Sequence, residues 1–269
     1  MRCFILASII LIVLSACDFD DSFFLTEEQA PVTAPQSGED FSFTSRDDTE
    51  IHGLYLQSEA EPKATIYLFH GSGENIYGWE ELAEPLVAAT YDVIMMDYRG
   101  FGHSEGKPTH SNAISDAKEM VHFIEDRVRS STKILLGQSY GGQVAIHLAH
   151  DFQDYFDGLI TEGTFTSHRE EVIASVPNWL KPMVGLITLS PYEARELIKG
   201  IAIPVLIIHS RDDQIVPLWM GRALYEDATE QREYWEIGGR HALGLLEMPE
   251  SYVAKVDDFI MSQTIKDAN

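Results

Sequence analysis

Short apolar runs alternate with segments of helical length through most of the chain. Runs such as Ala64 to His70, Lys133 to Gly137 and Pro204 to His209 are rich in Leu and β-branched residues and show no apolar-polar alternation. Strands of this kind are buried on both faces, as they are in parallel sheets. The same pattern predicts further strands at Phe41 to Thr44, Ile51 to Gln57, Val93 to Tyr98, Leu159 to Glu162 and Glu233 to Ile237.

Segments with helical patterns separate these strands. Alternation of strand and helix favours parallel strands joined by crossovers that pack on both sides of a sheet. We therefore predict an α/β chain with a mostly parallel central sheet of about eight strands and helices on both faces. The predicted helices are Ile76 to Ala89, Ser111 to Arg129, Tyr140 to His150, Leu218 to Ala228 and Glu250 to Gln263.

The charge balance limits the partners that the chain can bind. Of its 269 residues 43 are acidic and 19 are basic, which gives a formal net charge of −24. Binding to nucleic acid requires clustered Lys and Arg that this chain lacks. The same charge disfavours electrostatic attachment to anionic lipid, so membrane association requires another device. We expect a small-molecule partner and no nucleic acid.

The N-terminus has features of a segment that could attach the chain to a membrane. One basic residue, Arg2, precedes an almost wholly apolar run from Cys3 to Leu14, as in a secretory signal. The run is shorter than the roughly 20 apolar residues that cross a bilayer. The segment Leu14-Ser15-Ala16-Cys17, followed by Asp18, resembles a bacterial lipobox. The resemblance implies cleavage before Cys17, a diacylglycerol on its thiol and acylation of the new N-terminus; an uncleaved anchor and an ordinary signal with an incidental cysteine are the alternatives.

These features divide the chain. Residues 1–16 are predicted to be a lipoprotein signal peptide, residues 17–38 a lipidated tether, and residues 39–269 one domain with a short lid at about 163–200. We expect the protein in a bacterial cell envelope, lipid-anchored to a membrane with its domain on the periplasmic or extracytoplasmic side. Because Cys17 would be the single cysteine left, no disulfide would stabilise the fold.

The motif Gly137-Gln138-Ser139-Tyr140-Gly141 matches G-x-S-x-G. A predicted strand precedes it and a predicted helix follows it, which is the setting of a nucleophile elbow. A serine hydroxyl needs a base to accept its proton and an acid to orient that base. In the chain order typical of this fold, Asp or Glu comes next and His last. Asp212, Asp213 and His241 follow in that order.

From Phe41 to Phe259 the chain resembles the α/β-hydrolase fold, in particular Bem46-type and serine-aminopeptidase-like hydrolases. The resemblance implies that Asp213 is the acid of the triad; Asp212 and Glu162 remain alternatives. The residues that carry the resemblance are Phe69 to Gly73, Asp97 to Ser104, the Ser139 elbow, His209 to Pro217 and Gly238 to His241.

An oxyanion hole is expected beside Ser139. One donor would be the backbone N–H of Tyr140, and the second would come from the loop after the first parallel strand. By resemblance, that second donor is the N–H of Ser72. His147 and His150 have a spacing that could hold a metal, but no third ligand accompanies them. We expect neither a metal nor an organic cofactor.

Together these features predict a serine hydrolase. It would cleave carboxylic esters or thioesters through an acyl-enzyme, with Ser139, His241 and Asp213 as the triad. A peptidase acting on short peptides and a catalytically silent scaffold or binding lipoprotein are the alternatives. The apolar residues of the lid could either bind an acyl group or form core; they include Phe165, Val172, Trp179 and Met183.

Overall fold

The fold is built on eight strands of five to seven residues. The computed structural model describes residues 38–73, 75–183 and 193–266. The predicted signal peptide, Cys17 and the tether up to residue 37 lie outside the described residues. The strands are β1 (Glu39–Thr44), β2 (Glu50–Leu56), β3 (Thr65–Phe69), β4 (Asp92–Met96), β5 (Lys133–Gln138), β6 (Gly158–Glu162), β7 (Val205–Ser210) and β8 (Arg232–Ile237).

All eight strands belong to one sheet with the order β1-β2-β4-β3-β5-β6-β7-β8. β1 pairs antiparallel with β2, and β2 pairs antiparallel with β4. Every other pairing in the sheet is parallel. The carboxyl ends of β3 to β8 therefore meet along one edge, which is where open α/β sheets carry their ligand and catalytic groups.

Helices separate the parallel strands. At least one helix lies between each pair of successive parallel strands from β3 to β8, as the crossover connections of a parallel sheet require. Short helices occur in the lid and after β8. The helices are α1 (Ile76–Ala88), α2 (His110–Ile124), α3 (Tyr140–Asp151), α4 (His168–Ser175), α5 (Ala194–Leu197), α6 (Leu218–Asp227), α7 (Gly244–Glu247) and α8 (Pro249–Lys266).

Side chains of one strand enter two separate cores. In β3, Tyr67 and Phe69 join the hydrophobic cluster that contains Val144 of α3. Ile66 and Leu68 of the same strand join the cluster on the other face of the sheet. Successive strand residues point to opposite faces, so a strand covered on both sides must be apolar throughout. This explains the absence of apolar-polar alternation in the sequence.

The predicted α/β-hydrolase fold is confirmed, including the number of strands and the helices on both faces of the sheet. Across the described ranges 38–73, 75–183 and 193–266, no helix combines the length and apolar character needed to cross a membrane.

Candidate active site

Ser139 lies in a strained turn between β5 and α3. Its backbone has φ 53° and ψ −118°, a region that residues other than glycine rarely adopt. The turn is possible because two glycines flank it. A Cβ on Gly137 would lie 2.4 Å from the carbonyl oxygen of Gly141, and a Cβ on Gly141 would lie 2.0 Å from that of Phe69. The glycines thus allow the backbone to bend tightly and present the Ser139 hydroxyl beyond the end of the sheet.

The structure brings Ser139, His241 and Asp213 into one hydrogen-bonded chain. His241 Nε2 lies 2.7 Å from Ser139 Oγ, and His241 Nδ1 lies 2.6 Å from Asp213 Oδ2. The side chain of His241 is 12% exposed and that of Asp213 is fully buried. A neutral imidazole with Nδ1–H donated to a carboxylate has a free lone pair on Nε2. The arrangement can therefore take the proton of the serine hydroxyl.

Asp213 is held as a carboxylate. Its Oδ1 accepts the backbone N–H groups of Ile215 and Val216, each at 2.9 Å. Burial by itself would raise its pKa, but the hydrogen bond and charge of His241 together with the two backbone donors outweigh burial and lower the pKa below its ordinary value. The charge needed beside His241 is thus present at neutral pH.

The two rival acids occupy different positions. The side chain of Asp212 is 63% exposed, and its Oδ2 is 3.4 Å from the backbone N of Gly239. Glu162 is buried at the end of β6, and its carboxylate makes three hydrogen bonds, none of them to His241. Of the three acids considered, Asp213 is therefore the one that meets the imidazole.

The loop expected to supply an oxyanion donor runs beside Ser139. A Cβ on Gly71 would lie 3.4 Å from Ser139 Cβ, so the backbone that leads into Ser72 is adjacent to Ser139. Tyr140 is the first residue of α3, and its N–H belongs to the N-terminal turn of that helix. Amide groups at a helix N-terminus favour negative charge. Both predicted donors thus belong to segments adjacent to Ser139, and their joint role as an oxyanion hole stays a prediction.

Buried contacts fix the conformation of that loop. His70 Nδ1 lies 2.7 Å from the carbonyl oxygen of Gly71, and Tyr98 Oη donates to the carbonyl oxygen of His70 at 2.9 Å. Burial lowers the pKa of His70 to about 4, so its imidazole is neutral at neutral pH. Its contacts orient the loop and do not reach the Ser139 hydroxyl.

The segment predicted to be a lid contains a carboxyl that the sequence did not single out. Glu171 lies in α4 and is 5% exposed. Among the described residues its Oε2 has no hydrogen-bond partner. Burial raises the pKa of Glu171 to about 7, while the charges of His241 and Asp213 act on it in opposite directions. In the sequence only its place in the acidic pair Glu170-Glu171 marks it.

The apolar residues of the lid separate into two groups. Phe165 and Val172 are buried in the core, whereas Trp179 is 78% exposed and Met183 is 56% exposed. Residues 184–192 of the predicted lid lie outside the described residues. The segment is thus partly core and partly an exposed apolar surface.

The histidine pair of α3 has other contacts. His147 Nδ1 lies 2.8 Å from the carbonyl oxygen of Gln143, and His150 Nδ1 lies 2.9 Å from Asp151 Oδ1. In the part of the chain that the structure describes, no three His, Cys, Asp or Glu side chains are grouped as a metal site requires.

Comparison with known proteins agrees with this architecture. Residues 60–191 match the family model described as serine aminopeptidase, S33. An esterase of Pyrococcus furiosus superposes with a TM-score of 0.72 at 20% identity, over 88% of this chain and 99% of the esterase. At that identity the similarity concerns the fold. Fold and family match together define a hydrolase of the α/β-hydrolase family.

Sequence relatives identify the branch of the family. YfhR, an uncharacterized protein of Escherichia coli K12, is 27% identical over 250 residues, 89% of this chain and 86% of YfhR. The lysophosphatidylserine lipase ABHD12 of Danio rerio is 32% identical over 66% of this chain and 50% of the lipase. Protein bem46 of Schizosaccharomyces pombe is 32% identical over 61% of this chain and 56% of bem46. The chain belongs to the Bem46-like α/β-hydrolases.

Proposed function

We propose that the protein is a serine hydrolase that cleaves carboxylic esters or thioesters through an acyl-enzyme. The observation that carries the proposal is the chain of hydrogen bonds from Asp213 Oδ2 through His241 to Ser139 Oγ, at 2.6 and 2.7 Å. Enzymes that transfer acyl groups use a nucleophile, a base and an orienting acid in this geometry. No step requires a group outside the chain apart from substrate and water.

In the first half of the reaction, Ser139 Oγ attacks the carbonyl carbon of the substrate while His241 Nε2 takes its proton. The tetrahedral oxyanion accepts hydrogen bonds from the N–H groups of Ser72 and Tyr140. When the carbonyl reforms, the bond to the alcohol or thiol breaks and His241 returns the proton to that leaving group. Asp213 keeps the imidazole in the required tautomer and stabilises the imidazolium.

In the second half, water replaces the leaving group. His241 removes a proton from the water molecule, whose oxygen attacks the acyl carbon. The second tetrahedral intermediate collapses by breaking the bond to Ser139 Oγ, which recovers its proton from His241. The carboxylic acid leaves, and the enzyme is restored.

The relatives support an acyl substrate. ABHD12 is a lysophosphatidylserine lipase, and the Pyrococcus protein is an esterase. The family model instead bears the description serine aminopeptidase, which keeps short peptides as the second candidate substrate. The two differ in the group that leaves, an alcohol or thiol in one case and an amine in the other.

A fluorophosphonate probe tests the nucleophile. The wild type should be labelled, and Ser139→Ala should not be labelled although it remains folded by circular dichroism. Absence of labelling in the wild type would favour a catalytically silent binding protein. A panel of p-nitrophenyl acyl esters and aminoacyl p-nitroanilides then distinguishes the substrates, since turnover confined to the anilides would overturn the ester proposal.

We also propose that the protein is a lipoprotein of a bacterial cell envelope. The proposal rests on the Leu14-Ser15-Ala16-Cys17 segment, which would place acyl chains such as palmitate on Cys17. Several acyl chains anchor a protein far more firmly than one. Cells given a palmitate analogue should label the wild type and Cys3→Ser but not Cys17→Ser; equal labelling of all three would contradict the proposal.

A further inference from the structure

Glu162 lies at the centre of a buried hydrogen-bond network behind the triad. It ends β6, next to the strand that leads into Ser139, and is 1% exposed. Its Oε2 accepts from Gln138 Nε2 at 2.7 Å and from Tyr252 Oη at 3.1 Å. Its Oε1 accepts the backbone N–H of Gly244 at 2.7 Å. Three donors converge on one carboxylate.

The network reaches the loop that carries His241 at two points. One is the N–H of Gly244, bound directly by Glu162. The other is the carbonyl oxygen of Ala242, which accepts from Gln138 Nε2 at 3.1 Å. Gln138 thus bridges Glu162 and the residue after His241. Because Gln138 also precedes Ser139, the same contacts join the backbone on both sides of the hydrogen bond between Ser139 and His241.

The backbone of this loop needs such support. Ala242 has φ 49°, in the left-handed region that a residue with a Cβ seldom adopts. A strained residue of this kind persists where the surrounding contacts determine its conformation. The contacts of Gln138 with Ala242 and of Glu162 with Gly244 are anchored to the sheet and supply that constraint.

From this geometry we propose that Glu162 is a positioning residue that holds the His241 loop in register with Ser139. The inference rests on the proposed serine hydrolase chemistry and assigns a role to a residue outside the triad. Glu162 acts through Gln138, Ala242 and Gly244 and does not touch the reacting atoms. It needs to be a carboxylate, since every group bonded to it is a donor.

A substitution by glutamine disrupts the network at one atom. The amide introduced by Glu162→Gln would place an N–H2 group where a carboxylate oxygen now accepts. Gln138 could turn its own amide to meet that group, but its oxygen would then face the carbonyl oxygen of Ala242 and the bond to the loop would be lost. We therefore expect Glu162→Gln to lower kcat by up to about 100-fold with KM for a small ester little changed.

The chain contains a matched control at the opposite edge of the sheet. Asp92, the first residue of β4, is also a fully buried carboxylate. It accepts from Tyr55 Oη at 2.8 Å and from the backbone N–H of Ser58 at 2.9 Å, and it pairs with Arg129. Asp92→Asn should lower the thermal stability but leave kcat near the wild-type value. Tyr252→Phe and Tyr55→Phe form a second, milder pair with the same expected contrast.

A readout on His241 itself separates positioning from a general loss of stability. The charged or titratable groups around the imidazole are Asp213, Glu162, Glu171 and His209. Burial raises the pKa of Glu162, and its three hydrogen-bond donors and the charge of His241 oppose that rise. In the pH range where Glu162 is ionised, replacement by glutamine should make protonation of His241 less favourable. The acid limb of the pH–rate profile, and the titration of His241 followed by NMR on isotope-labelled protein, should therefore move to lower pH in Glu162→Gln and stay in place in Asp92→Asn.

These experiments distinguish failure of the positioning role of Glu162 from failure of the proposed hydrolase function. If the wild type turns over no ester, the ester proposal fails, but the NMR titration and the rate of fluorophosphonate labelling still test Glu162. Equal kcat in Glu162→Gln and the wild type would overturn the positioning role. The positioning role would also be overturned if Glu162→Gln and Asp92→Asn lost activity to the same extent, in proportion to their lowered thermal stability, while the His241 titration stayed in place. If Glu162→Gln does not fold, Tyr252→Phe must show the slower labelling, and wild-type behaviour in that variant would overturn the proposal.

Discussion

Gly163 lies directly against His241. A Cβ on Gly163 would be 3.0 Å from His241 Cε1, and the backbone of Gly163 has φ 61°. Two independent reasons therefore require glycine here: the left-handed backbone, and the space that the imidazole occupies. Gly163 follows Glu162, so the end of β6 meets the histidine both through its backbone and through the buried network described above.

Gly163→Ala should consequently lose activity. The positive φ should lower stability by about 1 to 2 kcal/mol, and displacement of the imidazole should lower kcat by roughly 10-fold or more. Steady-state kinetics and thermal unfolding measure the two effects. Gly106→Ala is the control, because Gly106 has φ 83° and packs against Thr49 and Arg99 away from the triad. Equal activity losses in the two variants would show that strain alone is responsible.

The two neighbouring aspartates should behave differently. Asp213→Asn replaces the acceptor of His241 Nδ1 with an amide that can favour the wrong tautomer, so kcat should fall by up to roughly ten-thousand-fold. Asp212→Asn alters an exposed side chain and should change kcat little. Kinetics on one ester with both variants tests the assignment. A large loss in Asp212→Asn together with an active Asp213→Asn would reverse it.

Glu171 should make stability depend on pH in a defined window. Burial raises its pKa in the folded protein to about 7, from 4.5 for an unperturbed glutamate. Below pH 4.5 the carboxyl is neutral in both states and imposes no penalty. Between pH 4.5 and 7 the unfolded state ionises first, so the wild type loses stability, by about 3 kcal/mol in total.

Glu171→Gln should not show that loss. Its free energy of unfolding relative to the wild type should therefore rise by about 3 kcal/mol between pH 4.5 and 7 and stay constant above that range. Urea unfolding across this range measures the difference. Glu250→Gln, at an exposed carboxyl, should follow the wild type throughout. Parallel curves for the wild type and Glu171→Gln would contradict the expectation.

The loop beside the nucleophile provides a further prediction. Tyr98→Phe removes the hydroxyl that donates to the carbonyl oxygen of His70. A buried carbonyl left without that donor should lower stability by about 1 to 2 kcal/mol. Because the same loop leads into Ser72, fluorophosphonate labelling should also slow. If labelling proceeds at the wild-type rate despite the lower stability, the loop does not depend on this bond to hold its position.

All eight strands could be predicted from the sequence, because burial on both faces leaves a continuous apolar run at most of them. Helix α4 was not predicted. Its amphipathic pattern is weak, but Ser167 accepts the backbone N–H of Glu170 at 3.1 Å, as an N-cap does. The sequence Ser167-His168-Arg169-Glu170 fits the capping-box pattern, so a signal for the start of this helix was present.

The site was less accessible to sequence reasoning than the fold. Motif and chain order pointed to Ser139 and His241, because both follow strands in an order that the fold dictates. The role proposed for Glu162 depends on the register of β5 with β6, which aligns Gln138 with Glu162. In the G-x-S-x-G motif, Gln138 occupies the first x position, at which any residue satisfies the motif. Its contacts arise from tertiary structure, and no local pattern marks them.

The antiparallel edge of the sheet has a consequence for where the tether would join the domain. Glu39 pairs with Tyr55, which in turn pairs with Ile94, the middle residue of β4. β1 is the edge strand of the sheet, and β2, β4 and β3 separate it from β5, which leads into Ser139. Four strand spacings correspond to roughly 19 Å. If Cys17 is the anchor, substrate could therefore reach Ser139 without passing the point at which the tether enters the domain.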